Sequence, residues 1–578
     1  MTNHDMKNNL CHALLGKYQS SVDAALNDLH AQKILPRIWQ HDHTVWKTDP
    51  AEITNRLGWL HSPEVMQKKI PEIKTFVATV RAAGFTHALL LGMGGSSLAP
   101  EVFRFSFGVK PGYLDLAVLD STHPGAVLQQ ARRLDLKRTL FIVSTKSGGT
   151  VETFSFFKYF YNQVRKTVGL ENAGNHFIAI TDPASGLADT ANEHKFRKTF
   201  LNDPDIGGRY SALSFFGIVP AALLGVDVDR LLARAALMAQ NCQSGNFPPA
   251  GKNTAAWLGA IMGELAVAGR DKVTLVTSPA LASFGSWAEQ LIAESTGKEG
   301  QGILPVANEE PAAPETYAND RWFVYLRLAK DATHDAKIKI LADAGHPVVQ
   351  FDLEDIYDLG GEFFRWEIAT IIAGQRLGIN PFDQPNVESA KVLARKMVAE
   401  FQEKGELPQL TPTLQENGIS AFAENLAGTI AEILQKFLAQ AQTAEVGNAM
   451  RSYVALQAYL APNIITDEAL KNFAQKIRSR HQLAVTIGYG PRFLHSTGQL
   501  HKGDAGNGLF LQFTANITED AAIPNKAGEE ASNMTFGTLV TAQALGDRQA
   551  LLDNKRNVIC FDLGNEVATG LQKLAEIV

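Results

Sequence analysis

From about residue 75 the apolar positions fall into short runs that end in Gly, Ser or Thr. These are His87–Leu91, Leu114–Leu119, Thr139–Ser144 and His176–Thr181. Helix-length segments such as Val151–Val168 lie between them. Short apolar runs alternating with helical stretches predict a parallel sheet covered by helices on both faces. A second cycle starts near 250. It predicts a helix over Thr254–Ala268, a strand over Lys272–Thr277 and a helix over Trp287–Ala293. Strands at Trp322–Leu328 and Pro347–Leu353 follow, then a long helix from Glu362 to about Leu377. Residues 1–70 are more polar, with helical patches near Val22–Leu29, and read as an N-terminal helical segment.

The last part predicts helices at Ala421–Ala441, Met450–Leu460 and Asp467–Ser479, and strands at Gln482–Ile487, Gly508–Thr514 and Val558–Leu563. It reads as a repeat of the second cycle. Glu294-Ser295-Thr296-Gly297 lines up with His495-Ser496-Thr497-Gly498, and Val349–Leu353 with Ile559–Leu563. A degenerate internal repeat follows. The expected division is 1–70, 71–230, 231–400 and 401–578.

Composition narrows the class. The chain has 578 residues, a net charge of −6, 45% hydrophobic and 20% charged residues. That is an ordinary globular balance, neither a disordered chain nor a small stapled scaffold. A slight acidic excess argues against nucleic acid and anionic membrane as partners. Three scattered cysteines, Cys11, Cys242 and Cys560, give neither a disulfide framework nor a zinc pattern. The start Met1–Asp5 lacks a basic then apolar leader. The longest apolar stretch, Phe215–Val226, is about half a membrane span. A cytoplasmic location is expected.

Six places could carry chemistry. Gly92-Met93-Gly94-Gly95-Ser96-Ser97 follows a strand, where glycines let backbone N–H groups approach an anion; a tight turn without a ligand is the alternative. Ser144–Thr153 concentrates hydroxyls, glycines and Lys146 at a helix start, the donor set for a phosphate monoester. A Ser/Thr-rich N-cap with Glu152 complementing the helix dipole is its alternative. Gly207-Gly208-Arg209 is a ligand-approach candidate or an ordinary loop. Gln290 and Glu294, at i and i+4, share a helix face, so Glu294 is a general-base candidate; on its own it reads rather as a helix-end glutamate paired with Lys298. Gln384 precedes a helix carrying Lys391, which alone reads as a surface lysine. His495 sits in a glycine- and hydroxyl-rich setting with His501 nearby. No metal-ligand cluster is apparent.

Taken in order, these residues resemble the phosphoglucose isomerase family, over about 85–395. Gly92–Ser96 is similar to its GIGGS motif, and Thr145–Thr153 to its SKTFTTxET phosphate loop. Gly207–Ser211 matches GGRYS, Gln290–Ser295 resembles QLxxES, and Phe382–Lys391 matches FDQxxVExxK. The likeness is greatest to the isomerase part of transaldolase/phosphoglucose-isomerase fusions.

The resemblance implies an α/β fold of SIS-type doubly wound parallel sheets flanked by helices. Two SIS domains would be followed by a C-terminal degenerate SIS-like module. It implies interconversion of glucose 6-phosphate and fructose 6-phosphate, in glycolysis and gluconeogenesis, without metal, nucleotide or flavin. Glu294, Arg209, His495 and Lys391 would be catalytic. Gly95, Ser96, Thr145, Lys146, Ser147, Thr150, Gln290 and Gln384 would bind substrate. A dual phosphoglucose/phosphomannose isomerase and a non-catalytic sugar-phosphate sensor are the alternatives.

Two departures matter. Gly148-Gly149 replaces the family's Phe-Thr, removing one hydroxyl. No histidine follows Glu294 between Gly302 and Trp322, so the family's ring-opening histidine is carried to Leu494-His495-Ser496-Thr497-Gly498-Gln499. The family takes that histidine from a neighbouring subunit. Here the C-terminal module could supply it within one chain, so a monomer or a homodimer is expected.

Overall fold

The computed structural model describes residues 11–248, 251–442 and 450–578. The segment Met1–Asp5 lies outside them. The first five-stranded sheet runs in the order Asp115–Leu119, His87–Gly92, Thr139–Ser144, Phe177–Thr181, Lys198–Leu201, all parallel. Its central runs, such as Leu140–Val143, are wholly buried. Helices cover both faces, so such strands are continuously apolar and do not alternate.

The second sheet runs Cys11–Leu14, Val348–Leu353, Arg321–Leu328, Lys272–Thr277, Leu304–Val306. Only the first of these is antiparallel. That strand corrects the purely helical reading of the N-terminal segment. Four residues of ordinary composition gave it no signal, because its partner lies over three hundred positions away.

The third sheet runs Leu414–Glu416, Ile419–Ala423, Asn557–Asp562, Gly508–Thr514, Tyr453–Ala458, Ala484–Tyr489. The helices expected at Ala421–Ala441 and Met450–Leu460 are corrected here. Ile419–Ala423 and Tyr453–Ala458 are strands, and Ile430–Leu438 alone is helix. Tyr453–Ala458 is paired on both sides and fully buried. It therefore shows no period of two, and its Ala and Leu residues mimic a helix.

All three sheets share one winding. The first parallel strand in the chain sits between the second on one side and the third and fourth on the other. In the second and third sheets an antiparallel strand, earlier in the chain, pairs with the fourth parallel strand. Val349–Leu353 and Ile559–Leu563 occupy equivalent strands. The Ser-Thr-Gly strings do not. Glu294–Gly302 precedes the second parallel strand of its sheet, whereas His495–Gly503 follows the second of its own. They abut instead: the Gly300 amide donates to the Gly503 carbonyl at 3.0 Å. A Cβ on Gly297 would collide with Leu500 Cα.

The C-terminal module is packed against both other sheet systems. Ala293, Leu304 and Val306 share a core with Tyr453, Leu500 and Phe510. Phe156 and Phe160 share one with Phe536 and Leu539. Phe215–Leu224 is a helix buried along its length. Among the described residues no helix is long and apolar enough to cross a membrane.

Candidate active site

The strands His87–Gly92 and Thr139–Ser144 lie side by side, and their connections leave toward opposite flanks of the sheet. Ligands of doubly wound sheets settle at such a switch point, outside the carboxyl ends of the strands. The glycine turn and the hydroxyl loop meet there. Gly94 adopts φ +53°, and a Cβ on it would stand 2.7 Å from the His495 carbonyl oxygen. A Cβ on Gly95 would overlap the Gly208 carbonyl. The turn thus brings Gly208-Arg209 and the His495 segment to one point.

Thr150 is the N-cap of the helix Val151–Val168, yet its side chain caps nothing. Its Oγ1 lies 2.8 Å from Thr145 Oγ1. The N-cap side chain therefore leaves the start of an eighteen-residue helix uncapped. Ser147 and Thr150 line a cleft of about 340 Å³ with Glu152, Lys391 and His495. Lys146 turns elsewhere: its ammonium donates to Asp182 and to the Pro204 carbonyl at 2.9 Å. Ser96 is buried in the turn beneath the loop, its carbonyl accepting from Ser144 Oγ at 3.3 Å.

Glu294 sits near the end of the helix Phe284–Thr296. Gln290, one turn earlier, donates from Nε2 to Glu294 Oε2 at 3.0 Å and to the His495 carbonyl at 2.7 Å. Gln290 Oε1 is buried without a hydrogen-bond partner. Arg209 Nη1 stands 3.1 Å from Glu294 Oε1. Its other nitrogens donate to Ser295 Oγ (2.7 Å), the Pro381 carbonyl (2.7 Å) and the Asp383 carbonyl (3.0 Å). Every arm of the guanidinium is held, which fixes its plane beside the carboxylate. Tyr210 backs the cluster, and burial pushes its hydroxyl up to about 12 against the opposing Arg209 charge.

Gln384 lies by this cluster, its Oε1 accepting from Arg209 Nη1 at 3.0 Å. Lys298 donates to the Asp383 carbonyl and to Asp383 Oδ1, the latter at 2.8 Å. Burial, and then the Arg209 charge, bring its ammonium down to about 8, with Asp383 opposing. Lys298 therefore pairs with Asp383; Arg209 takes Glu294.

His495 reaches the site from the C-terminal module. Its Nε2 lies 3.1 Å from Glu152 Oε1. Gln543 Nε2 donates to the same oxygen at 2.7 Å, and Thr122 Oγ1 donates to Gln543 Oε1 at 2.7 Å. Burial by itself would raise the Glu152 carboxyl. The His495 charge and hydrogen bond, with Lys391 adding, hold it below the usual carboxylate range.

Sequence reasoning missed Glu152 as a partner of His495. It saw only a first-turn acid, although an acid at the mouth of an apolar helix was available as a signal. Gln543 and Thr122 carried no local signal at all. Among the described residues no group of three or more His, Cys, Asp or Glu is placed to hold a metal ion.

Comparisons with known proteins bear on this arrangement. The family model for phosphoglucose isomerase matches residues 60–306. The chain is 33% identical over 397 residues to the glucose-6-phosphate isomerase of Geobacter sp. (strain M21), covering 58% of this chain and 73% of that protein. It is 27% identical over 409 residues to that of Carboxydothermus hydrogenoformans, covering 60% and 86%. Among solved structures, a hypothetical protein from Thermus thermophilus matches with TM-score 0.57 and 25% identity, over 68% of this chain and 100% of that one. A glucose-6-phosphate isomerase from Chlamydia trachomatis shares the fold, with TM-score 0.56 and 17% identity, over 66% and 86%.

Proposed function

The chain belongs to the phosphoglucose isomerase family, an aldose–ketose isomerase by that membership, and on this premise we propose that it interconverts glucose 6-phosphate and fructose 6-phosphate. Ser147, Thr150, Thr145 and the uncapped amides of the following helix hold the phosphate, where the helix dipole favours an anion. Ser96 and Gly95 form the floor. Lys146 acts through Asp182, outside the phosphate contact. Anchoring the remote phosphate positions C1 and C2.

His495, oriented by Glu152, and Lys391 open the pyranose ring by proton transfer. Glu294 then takes the proton from C2 of the open-chain aldose. O1 gains a proton, which gives the cis-enediol. Glu294 returns its proton to C1 as O2 loses one, and the ketose results. Negative charge builds on oxygen during these transfers, and Arg209 stabilises it. The unpartnered Gln290 Oε1 accepts a sugar hydroxyl, and Gln384 borders the same space.

The observation that carries this reading is the position of Glu294. It is held between Gln290 and Arg209, while the same Gln290 anchors the backbone of His495. The base, the oxyanion partner and the ring-opening histidine are thus tied together within one chain, so a monomer suffices for activity. The test is turnover of fructose 6-phosphate, coupled to glucose-6-phosphate dehydrogenase with EDTA present. Turnover by a monomer at the limit of dilution is expected. Folded chain that binds fructose 6-phosphate without turnover refutes the reading.

A further inference from the structure

Besides His495, the C-terminal module brings a second polar side chain to the cleft beside the hydroxyl loop. This is Gln543, on the long helix Phe536–Asp553. Its helix neighbours Leu539, Val540, Ala542 and Ala544 are apolar and buried, and an apolar residue would continue that face. An amide buried there is costly unless both its ends are paired. Gln543 pairs both: Nε2 donates to Glu152 Oε1 and Oε1 accepts from Thr122 Oγ1, each at 2.7 Å. The direction of this chain is fixed. A carboxylate oxygen only accepts, so the amide nitrogen must face Glu152, and the amide oxygen then takes the Thr122 hydroxyl as its donor. Thr122, just past the strand Asp115–Leu119, is wholly buried.

Glu152 Oε1 thus has two donors, Gln543 Nε2 and, at 3.1 Å, His495 Nε2. A carboxylate at Nε2 selects the Nε2–H tautomer of the neutral imidazole and leaves Nδ1 as its basic nitrogen. A second donor on the same oxygen stabilises the ionised carboxyl and restrains its rotation. Burial alone would raise the Glu152 carboxyl; His495, with Lys391 adding, holds it below the usual range. The other charged groups around it are engaged. Arg395, on the helix of Lys391, pairs with Glu388, and Lys146 pairs with Asp182. Asp547, one turn past Gln543, pairs with Lys502 at 2.7 Å, and Arg492 with Asp120 at 2.7 Å. Burial, then Asp547, pushes the Tyr459 hydroxyl well up, so it stays protonated. Burial brings His123, next to Thr122, down to about 4 against the Asp520 charge.

We propose that Gln543 is a positioning residue: it keeps Glu152 ionised and aimed at His495, and through Glu152 it supports the ring opening that His495 performs. The hold on Glu152 stands on geometry alone; the support of His495 rests on the isomerase reading.

Gln543→Leu keeps the apolar face of the helix and deletes the donor. Melting temperatures of the full chain are compared at about pH 7 and about pH 3. A carboxyl held below its unfolded value contributes stability above that value and loses it as pH falls through the folded one. The variant's folded value is higher, so its melting deficit should be larger at about pH 7 than at about pH 3. That difference should vanish when both chains also carry Glu152→Gln. The same deficit at both pH values, or a difference that survives Glu152→Gln, refutes the hold on Glu152. In the coupled assay kcat for fructose 6-phosphate should fall roughly tenfold with KM little changed. The acid limb of the kcat profile should move up by about one pH unit. Unchanged kcat, or a lower kcat with an unmoved acid limb, refutes the support of His495. Thr122→Val leaves Gln543 in place and frees its amide. It should move both readouts the same way by a smaller amount, and it carries the test if Gln543→Leu does not fold. Wild-type chain without turnover refutes the isomerase reading and with it the support of His495, while the melting comparison still decides the hold on Glu152.

Discussion

Gly94→Ala tests the geometry at its tightest point. Gly94 adopts φ +53°, and a Cβ there would lie 2.7 Å from the His495 carbonyl oxygen and 2.9 Å from Gln290 Nε2. Ordinary contact begins near 3.4 Å, so the His495 segment must retreat by more than half an ångström. Left-handed backbone costs an L-residue about 1–2 kcal/mol. Forcing extra atoms into a packed site adds about 1–3 kcal/mol. The sum is roughly 2–5 kcal/mol of lost stability. Displacing His495 and Gln290 by part of an ångström should also lower kcat roughly tenfold to hundredfold. Gly84→Ala separates the two effects. Gly84 has φ +83° and nothing within 4 Å of its Cβ, so that variant carries only the backbone strain. Thermal unfolding and the coupled isomerase assay on both variants read the difference. Gly94→Ala with the kcat and melting temperature of Gly84→Ala would refute the stated contact between the glycine turn and the His495 segment.

Three further outcomes are expected. Glu294→Gln should lower kcat by about 10²–10⁴, the usual worth of a general base, while fructose 6-phosphate still binds in a calorimetric titration. Thr150→Val removes one phosphate donor and should raise KM roughly tenfold with a smaller effect on kcat, read from initial rates. Glu152→Gln should flatten the acid limb of stability. The Glu152 carboxyl is held below its usual range, so its contribution is complete above the unfolded value of about 4.3 and fades as pH falls through the lower folded value. Melting temperatures from about pH 6 down to about pH 3 should therefore fall less steeply in the variant.

The parallel strands were legible because burial on both faces writes them as short apolar runs with turn residues at their ends. Thr139–Ser144 and Lys272–Thr277 match the structure end for end. The same double burial hid Tyr453–Ala458, whose Ala and Leu content carries no strand signature. At the site, Glu294 and Gln290 were legible as a helical face, and Ser147 and Thr150 as a helix start. Lys146 was read as a phosphate contact, but its ion pair is made by Asp182, 36 positions away. The Glu152–Gln543–Thr122 chain spans the first and last sheets, and spacing along the chain cannot show a contact 391 residues apart. Short-string matching also misplaced the repeat. Ser-Thr-Gly recurs in both halves, but only strand order shows which positions are equivalent.

The antiparallel strand Cys11–Leu14 has a consequence for biosynthesis. Its register pairs Leu14 with Val348, so the ribosome must make more than three hundred residues before the partner exists. At roughly 5–20 residues per second that interval is about 15–70 s. Through it the first sheet, complete by Leu201, can fold on the nascent chain while the strand preceding it waits unpaired. Cys11–Leu14 is thus translated before the rest of its sheet, yet it closes that sheet only after the other four strands have been made.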